Sequence, residues 1–115
     1  ENHIAAAGGI KNVLQNAFAL NSGVDIQIEV ENIAEMEEAL EHGAKNILID
    51  DFSIEDMARA VNINQGRALL EVSGGVTLEG LKEIAATGVD RISIGKLTKD
   101  IIAIDYSMRV LKRLP

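Results

Sequence analysis

The apolar positions along this chain switch repeatedly between two periods. Over residues 10–20, Ile10, Val13, Leu14, Ala17 and Phe18 recur at helical spacing and predict a helix with one apolar stripe. Residues 25–31 then alternate strictly, Ile26, Ile28 and Val30 against Gln27, Glu29 and Glu31, as a strand does. Asn32 with Glu35 three residues later is an N-cap signature with a reciprocal acid. Ile33, Met36 and Leu40 supply the stripe of that helix, and Gly43 stands where a C-terminal glycine belongs. A second strand is expected at residues 46–50. Ser53 caps a helix carrying Ile54, Met57, Ala58 and Val61, and Asn64-Gln65-Gly66 turns the chain into a third strand at residues 68–72. Thr77 is expected to cap a fourth helix, with Leu78, Leu81, Ile84 and Ala85 inward and Gly88 as its stop. A fourth strand at residues 91–95 and a closing helix over 99–113 complete the reading.

Short strands each followed by a helix require parallel pairing with crossover connections, so the class is α/β. The pattern from Gly43 to Asp50 returns from Gly88 to Gly95, a weak internal repeat of one βα unit. The strand faces narrow the architecture. A parallel sheet covered on both sides is apolar on both faces. Here all four strands have one apolar face and one largely polar face: Gln27, Glu29 and Glu31; Asn46, Leu48 and Asp50; Leu69, Glu71 and Ser73; Arg91, Ser93 and Gly95. That asymmetry fits a TIM-like α/β barrel whose lumen belongs to a site. Four strands are too few to close one, so four consecutive βα units of an incomplete barrel are expected.

Chemistry in such barrels sits at the C-terminal ends of the strands. Those positions read Glu29 and Glu31, Asp50 and Asp51, Ser73-Gly74-Gly75, and Gly95-Lys96. Carboxylates suit ribose hydroxyls or Mg²⁺, a hard cation that takes oxygen ligands. A Ser-Gly-Gly turn before a capped helix lets backbone N–H groups approach an anion, helped by the helix N-terminus. Together they suggest a phosphorylated sugar. Composition excludes other classes. The net charge of −7, the absence of Trp and only two Phe and one Tyr leave no basic footprint and few stacking rings for nucleic acid. No cysteine is present, so disulfides and thiolate metal sites are impossible. No apolar run approaches the ~20 residues of a membrane span, nothing at the start reads as a signal peptide, and a cytoplasmic protein is expected.

Several stretches together resemble one family. They are Glu1-Asn2-His3-Ile4-Ala5-Ala6-Ala7-Gly8, Ile28-Glu29-Val30-Glu31-Asn32, Ile49-Asp50-Asp51-Phe52, Leu70-Glu71-Val72-Ser73-Gly74-Gly75-Val76, the run from Thr87 to Gly95, and Asp105-Tyr106-Ser107-Met108-Arg109. In this order they are similar to the carboxylating nicotinate-nucleotide pyrophosphorylases, or quinolinate phosphoribosyltransferases. The resemblance implies transfer of phosphoribose from phosphoribosyl pyrophosphate to quinolinate, giving nicotinate mononucleotide, pyrophosphate and CO₂ on the way to NAD. It implies Mg²⁺ accompanying the pyrophosphate donor and a homo-oligomer, most simply a dimer. By position it makes Glu29 and Asp50 the catalytic acids on the ribose and metal side, where carboxylates stabilise positive charge developing on the ring. Ser73, Gly74 and Gly75 become one phosphate-binding turn, and Gly95, Lys96 and Leu97 the second. Lys96 stands where the family usually has a small residue, and Asp51 where Asn is commoner. The family is considerably longer, and its basic residues for the two quinolinate carboxylates lie in parts that Lys11, Lys45 and Lys82 do not match. Residues 1–115 are therefore expected to be the C-terminal part of a catalytic barrel domain, inactive alone.

Plainer roles compete for individual residues. His3 near a terminus is more often structural than a ligand, and His42 at a helix end suits the macrodipole. Glu35, Glu37, Glu38 and Glu41 form a solvated helix face. Met36, Met57 and Met108 read as core, and Glu71 as a lumen carboxylate either satisfied by neighbours or functional. Two other functions stand beside the first: a related transferase of the same fold linked to molybdenum transport, and a non-catalytic half-barrel that binds phosphate.

Overall fold

The computed structural model describes residues 2–112. The elements run α1 (Asn2–Ala7), α2 (Ile10–Ala19), β1 (Gln27–Val30), α3 (Ile33–Glu41), β2 (Asn46–Asp50), α4 (Ile54–Asn64), β3 (Leu69–Ser73), α5 (Leu81–Ala86), β4 (Arg91–Ile92) and α6 (Lys96–Lys99). The four strands form one parallel sheet in the order β1-β2-β3-β4, so every strand neighbours the next in sequence. Successive strands joined through helices and lying side by side are the arrangement that consecutive βα units of an α/β barrel have.

One face of the sheet carries the core. Val30, Ile47, Ile49, Leu70 and Val72 are fully buried beneath the helices, with Leu14 of α2 and Met36 of α3. Each such side chain stabilises the fold by about 1.5–3 kcal/mol. Ala39 and Ala60 are also fully buried, which lets α3 and α4 approach closely. The other face shows Gln27, Glu29 and Leu69 to solvent and leaves Leu48, Asp50, Glu71 and Ser73 half-buried. The expected division into a helix-packed side and a largely polar side is therefore the observed one.

Local signals set the helix starts. Asn32 Oδ1 accepts from the Glu35 N–H at 3.0 Å, and Glu35 Oε2 accepts from the Glu31 N–H at 3.0 Å, so the reciprocal arm reaches one residue beyond the cap. Ser53 Oγ accepts from the Asp56 N–H at 3.1 Å. Replacing Ser53 by Ala is expected to lower stability by about 1 kcal/mol, and Ser53→Asp to retain most of it, as read by urea denaturation. At the far end of α4, Gln65 adopts a left-handed conformation, and the buried Asn64 clasps Ala68 through its N–H (3.0 Å) and carbonyl (2.8 Å). That clasp satisfies a buried amide and delivers the chain into β3.

The structure departs from the periodicity in several places. α1 is an additional helix. β1 and β4 are shorter than their alternating runs, and β3 is displaced by one residue. The fourth helix begins at Leu81 rather than after Thr77. Thr77 Oγ1 instead accepts from the Gly80 N–H at 3.3 Å inside a preceding turn, and Leu78 stays exposed. Phe18 sits at the end of α2 with 44 % of its surface exposed. The largest departure is the closing helix. Only α6 forms, and residues 101–112 have no regular structure, with Met108 97 % exposed rather than in the core. Most helical stability comes from packing an apolar face, and nothing among the described residues covers this segment. Arg113, the last residue of that expected helix, and Glu1 of the Glu-Asn-His stretch lie outside the described residues.

Candidate functional site

The C-terminal ends of β2 and β3 are level. Asp50 pairs with Ser73 in the register, and the Asp51 N–H donates to the Ser73 carbonyl at 3.1 Å. Beyond this point both strands turn through left-handed backbone, Asp51 at φ 57° and Gly74 and Gly75 at 84° and 57°. Asn and Asp tolerate that conformation better than other side-chain-bearing residues, which gives a structural reason for the acid beside Asp50. Gly74 has a second constraint. A Cβ there would lie 2.7 Å from Asp51 N and 2.9 Å from Asp50 Oδ1, so the turn after β3 rests directly on the end of β2.

These residues face a cleft of about 350 Å³ lined by Asp50, Ser73, Gly74, Gly75, Val76, Ser93, Gly95, Lys96, Lys99 and Asp100. Asp50, Ser73, Gly74, Gly75, Gly95 and Lys96 of the expected set thus meet in one place. Leu97 turns aside into a neighbouring depression with Thr77, Leu78 and Ile94. Glu29 is level with Leu48 and Glu71, one layer deeper on the same sheet face, and borders a largely apolar depression beside α1 and α2. Ser93, Lys99 and Asp100 were not singled out. The polar face of the fourth strand was the signal for Ser93, whereas Lys99 and Asp100 enter only because α6 folds over the strand end. The expected helix dipole behind the Ser-Gly-Gly turn is absent, since α5 starts at Leu81 and has six residues. The groups there that could donate to an anion are the turn backbone and the two lysines.

Glu71 ties the sheet together from inside. Its Oε2 accepts from Gln27 Nε2 on β1 at 2.9 Å, and its Oε1 accepts from Ser93 Oγ beyond β4. The Ser93 hydroxyl and then the Gln27 amide hold this carboxyl below the usual range, partial burial opposes them, and Arg91 adds a smaller lowering. A lowered folded pKa means stability that is present above the ordinary carboxylate range and lost as pH falls through the folded value. Acid titration of stability should therefore be steeper for wild type than for Glu71→Gln below about pH 5. Parallel curves would show that Glu71 is equally easy to protonate folded and unfolded.

A carboxylate, two glycine-bearing segments and two lysines thus gather at the C-terminal ends of parallel strands, the place where α/β barrels carry their sites. The family model for the quinolinate phosphoribosyl transferase C-terminal domain matches residues 1–109, and the chain belongs to that family. A probable carboxylating nicotinate-nucleotide pyrophosphorylase of Archaeoglobus fulgidus is 37 % identical over 97 % of this chain and 45 % of its own length. The solved nicotinate-nucleotide pyrophosphorylase of Francisella tularensis superimposes with a TM-score of 0.85 at 44 % identity, covering 91 % of this chain and 38 % of that one. A NadC deletion mutant gives a TM-score of 0.92 at 32 % identity over the whole of this chain and 41 % of that one. The chain thus spans less than half the length of these relatives. Their names favour the pyrophosphorylase reading over the molybdenum-linked alternative.

Proposed function

We propose that this chain supplies the donor side of a phosphoribosyl transfer site. In the whole protein, phosphoribose passes from phosphoribosyl pyrophosphate to quinolinate, with nicotinate mononucleotide, pyrophosphate and CO₂ as products. The observation that carries this reading is the single cleft in which Asp50 faces the Ser73-Gly74-Gly75 turn and the Gly95-Lys96 turn. Backbone N–H groups of the turns and the ammonium groups of Lys96 and Lys99 meet the phosphates. The Asp50 carboxylate lies where positive charge on the ribose ring would be stabilised as pyrophosphate departs. Glu29, one layer deeper on the same face, is the second acid of this reading.

Mg²⁺ fits as a partner of the donor. Among the described residues no three His, Asp or Glu side chains gather as a metal-holding group. Mg²⁺ characteristically binds through one or two carboxylates together with substrate phosphates, and Asp50, with Glu29, is the donor set available for that mode. The ion would neutralise charge on the leaving pyrophosphate. A homodimer is the proposed state, as the family resemblance implies. No helix among the described residues is long and apolar enough to cross a membrane.

The test is to supply the full-length protein carrying this chain with quinolinate, phosphoribosyl pyrophosphate and Mg²⁺. Nicotinate mononucleotide and CO₂ should form together, and omitting any one of the three should stop both. Failure to form the nucleotide with all three present would refute the assignment.

A further inference from the structure

We propose that Ser93, oriented by Glu71, forms an acceptor subsite for a sugar hydroxyl in the Asp50 cleft. This deepens the phosphoribosyl reading above and rests on it. An ionised carboxylate can only accept hydrogen bonds, and Glu71 receives two, from Gln27 Nε2 and from Ser93 Oγ. The lowered pKa of Glu71 keeps it ionised near neutral pH. The one proton of the Ser93 hydroxyl is therefore committed to Glu71. What remains on that oxygen is its lone pairs, and Ser93 lines the cleft.

A serine in this state is a poor partner for a phosphate oxygen, which needs donors, and a good one for a hydroxyl, which brings a proton. Asp50 on the same sheet face is likewise an acceptor. The cleft consequently divides into a side that reads hydroxyls, Asp50 and Ser93, and a side that reads phosphate, the glycine turn and the lysines. Glu71 touches no ligand in this scheme. It is a positioning residue, and the backbone helps it, since the Ser93 N–H donates to the Val72 carbonyl at 2.9 Å and fixes the serine at the sheet edge.

The experiment compares Ser93→Ala, Glu71→Gln and the double variant in the full-length protein, measuring KM for both substrates, kcat and melting temperature. Ser93→Ala should raise KM for the ribosyl donor about three- to tenfold and leave KM for quinolinate unchanged. Glu71→Gln should raise donor KM similarly, because its amide can donate to Ser93 and turn the hydroxyl proton into the cleft. The double variant should be no worse than Ser93→Ala alone, as expected for two residues acting through one contact. A purely structural Glu71 would lower melting temperature without selecting the donor. Donor KM within twofold of wild type in folded Ser93→Ala overturns the proposal, and so does additivity in the double variant. If Glu71→Gln fails to fold, Ser93→Ala decides by itself. An inactive wild type would defeat the transferase reading and this inference together, whereas an active wild type with unmoved donor KM in Ser93→Ala defeats only the inference.

Discussion

Replacing Gly74 by alanine is expected to lower the stability of this chain by about 3 kcal/mol, from a left-handed backbone and a steric clash combined. At φ 84° a Cβ is strained whatever surrounds it, and here it would meet Asp51 N at 2.7 Å and Asp51 Cα at 3.0 Å, both backbone atoms that cannot swing aside. Relief requires the turn after β3 to lift from the end of β2, which also stretches the bond from the Asp51 N–H to the Ser73 carbonyl. Gly75 is the internal control. Its φ of 57° is also left-handed, but the nearest neighbour of a Cβ, Asp51 Oδ1, lies 3.7 Å away. Gly75→Ala should cost only about 1–2 kcal/mol. Urea denaturation of the two variants separates clash from backbone preference. Equal losses would mean that the contact between the turn and β2 carries no energy.

Asp50→Asn is expected to reduce kcat/KM of the full-length protein by about a hundred- to a thousandfold, measured as nicotinate mononucleotide formation at saturating quinolinate. The substitution keeps shape and removes charge, so the packing of Gly74 against this side chain should survive and melting temperature should change little. An activity within threefold of wild type would remove Asp50 from the reacting centre. Glu29→Gln offers the comparison. Glu29 stands one layer deeper, level with Leu48 in the register, so an equal loss there would mean that the ligand reaches past the strand ends into the lumen.

Both predictions lean on contacts between residues far apart in sequence, and these mark where reading the chain alone stopped. Glu71 is an example. Its position on the polar face followed from alternation along one strand, but its partners, Gln27 on β1 and Ser93 beyond β4, depend on how the sheet brings that face together. Asp51 is another, since its acidity was visible while its left-handed φ of 57° was not. The segment after α6 shows the reverse failure. Its apolar content suggested a helix, but apolar content is informative only when another surface covers it, and 101–112 meets none among the described residues.

What the amino-acid order by itself determined was local or periodic. The succession from α2 to β4, the buried face of β1 to β3, the caps at Asn32 and Ser53 and the stops at Gly43 and Gly88 all depend on residues within a turn or two of one another. The ordered strand-end residues and the family could also be read there, because both are written in contiguous motifs. The tertiary structure alone decided which of those ends share a cleft. It gathered Asp50 with Ser73-Gly74-Gly75 and Gly95-Lys96, left Glu29 a layer deeper, turned Leu97 aside and brought in Ser93. Register and strand length set these outcomes. They arise from hydrogen bonding between strands some twenty residues apart, a range over which side-chain periodicity carries no information.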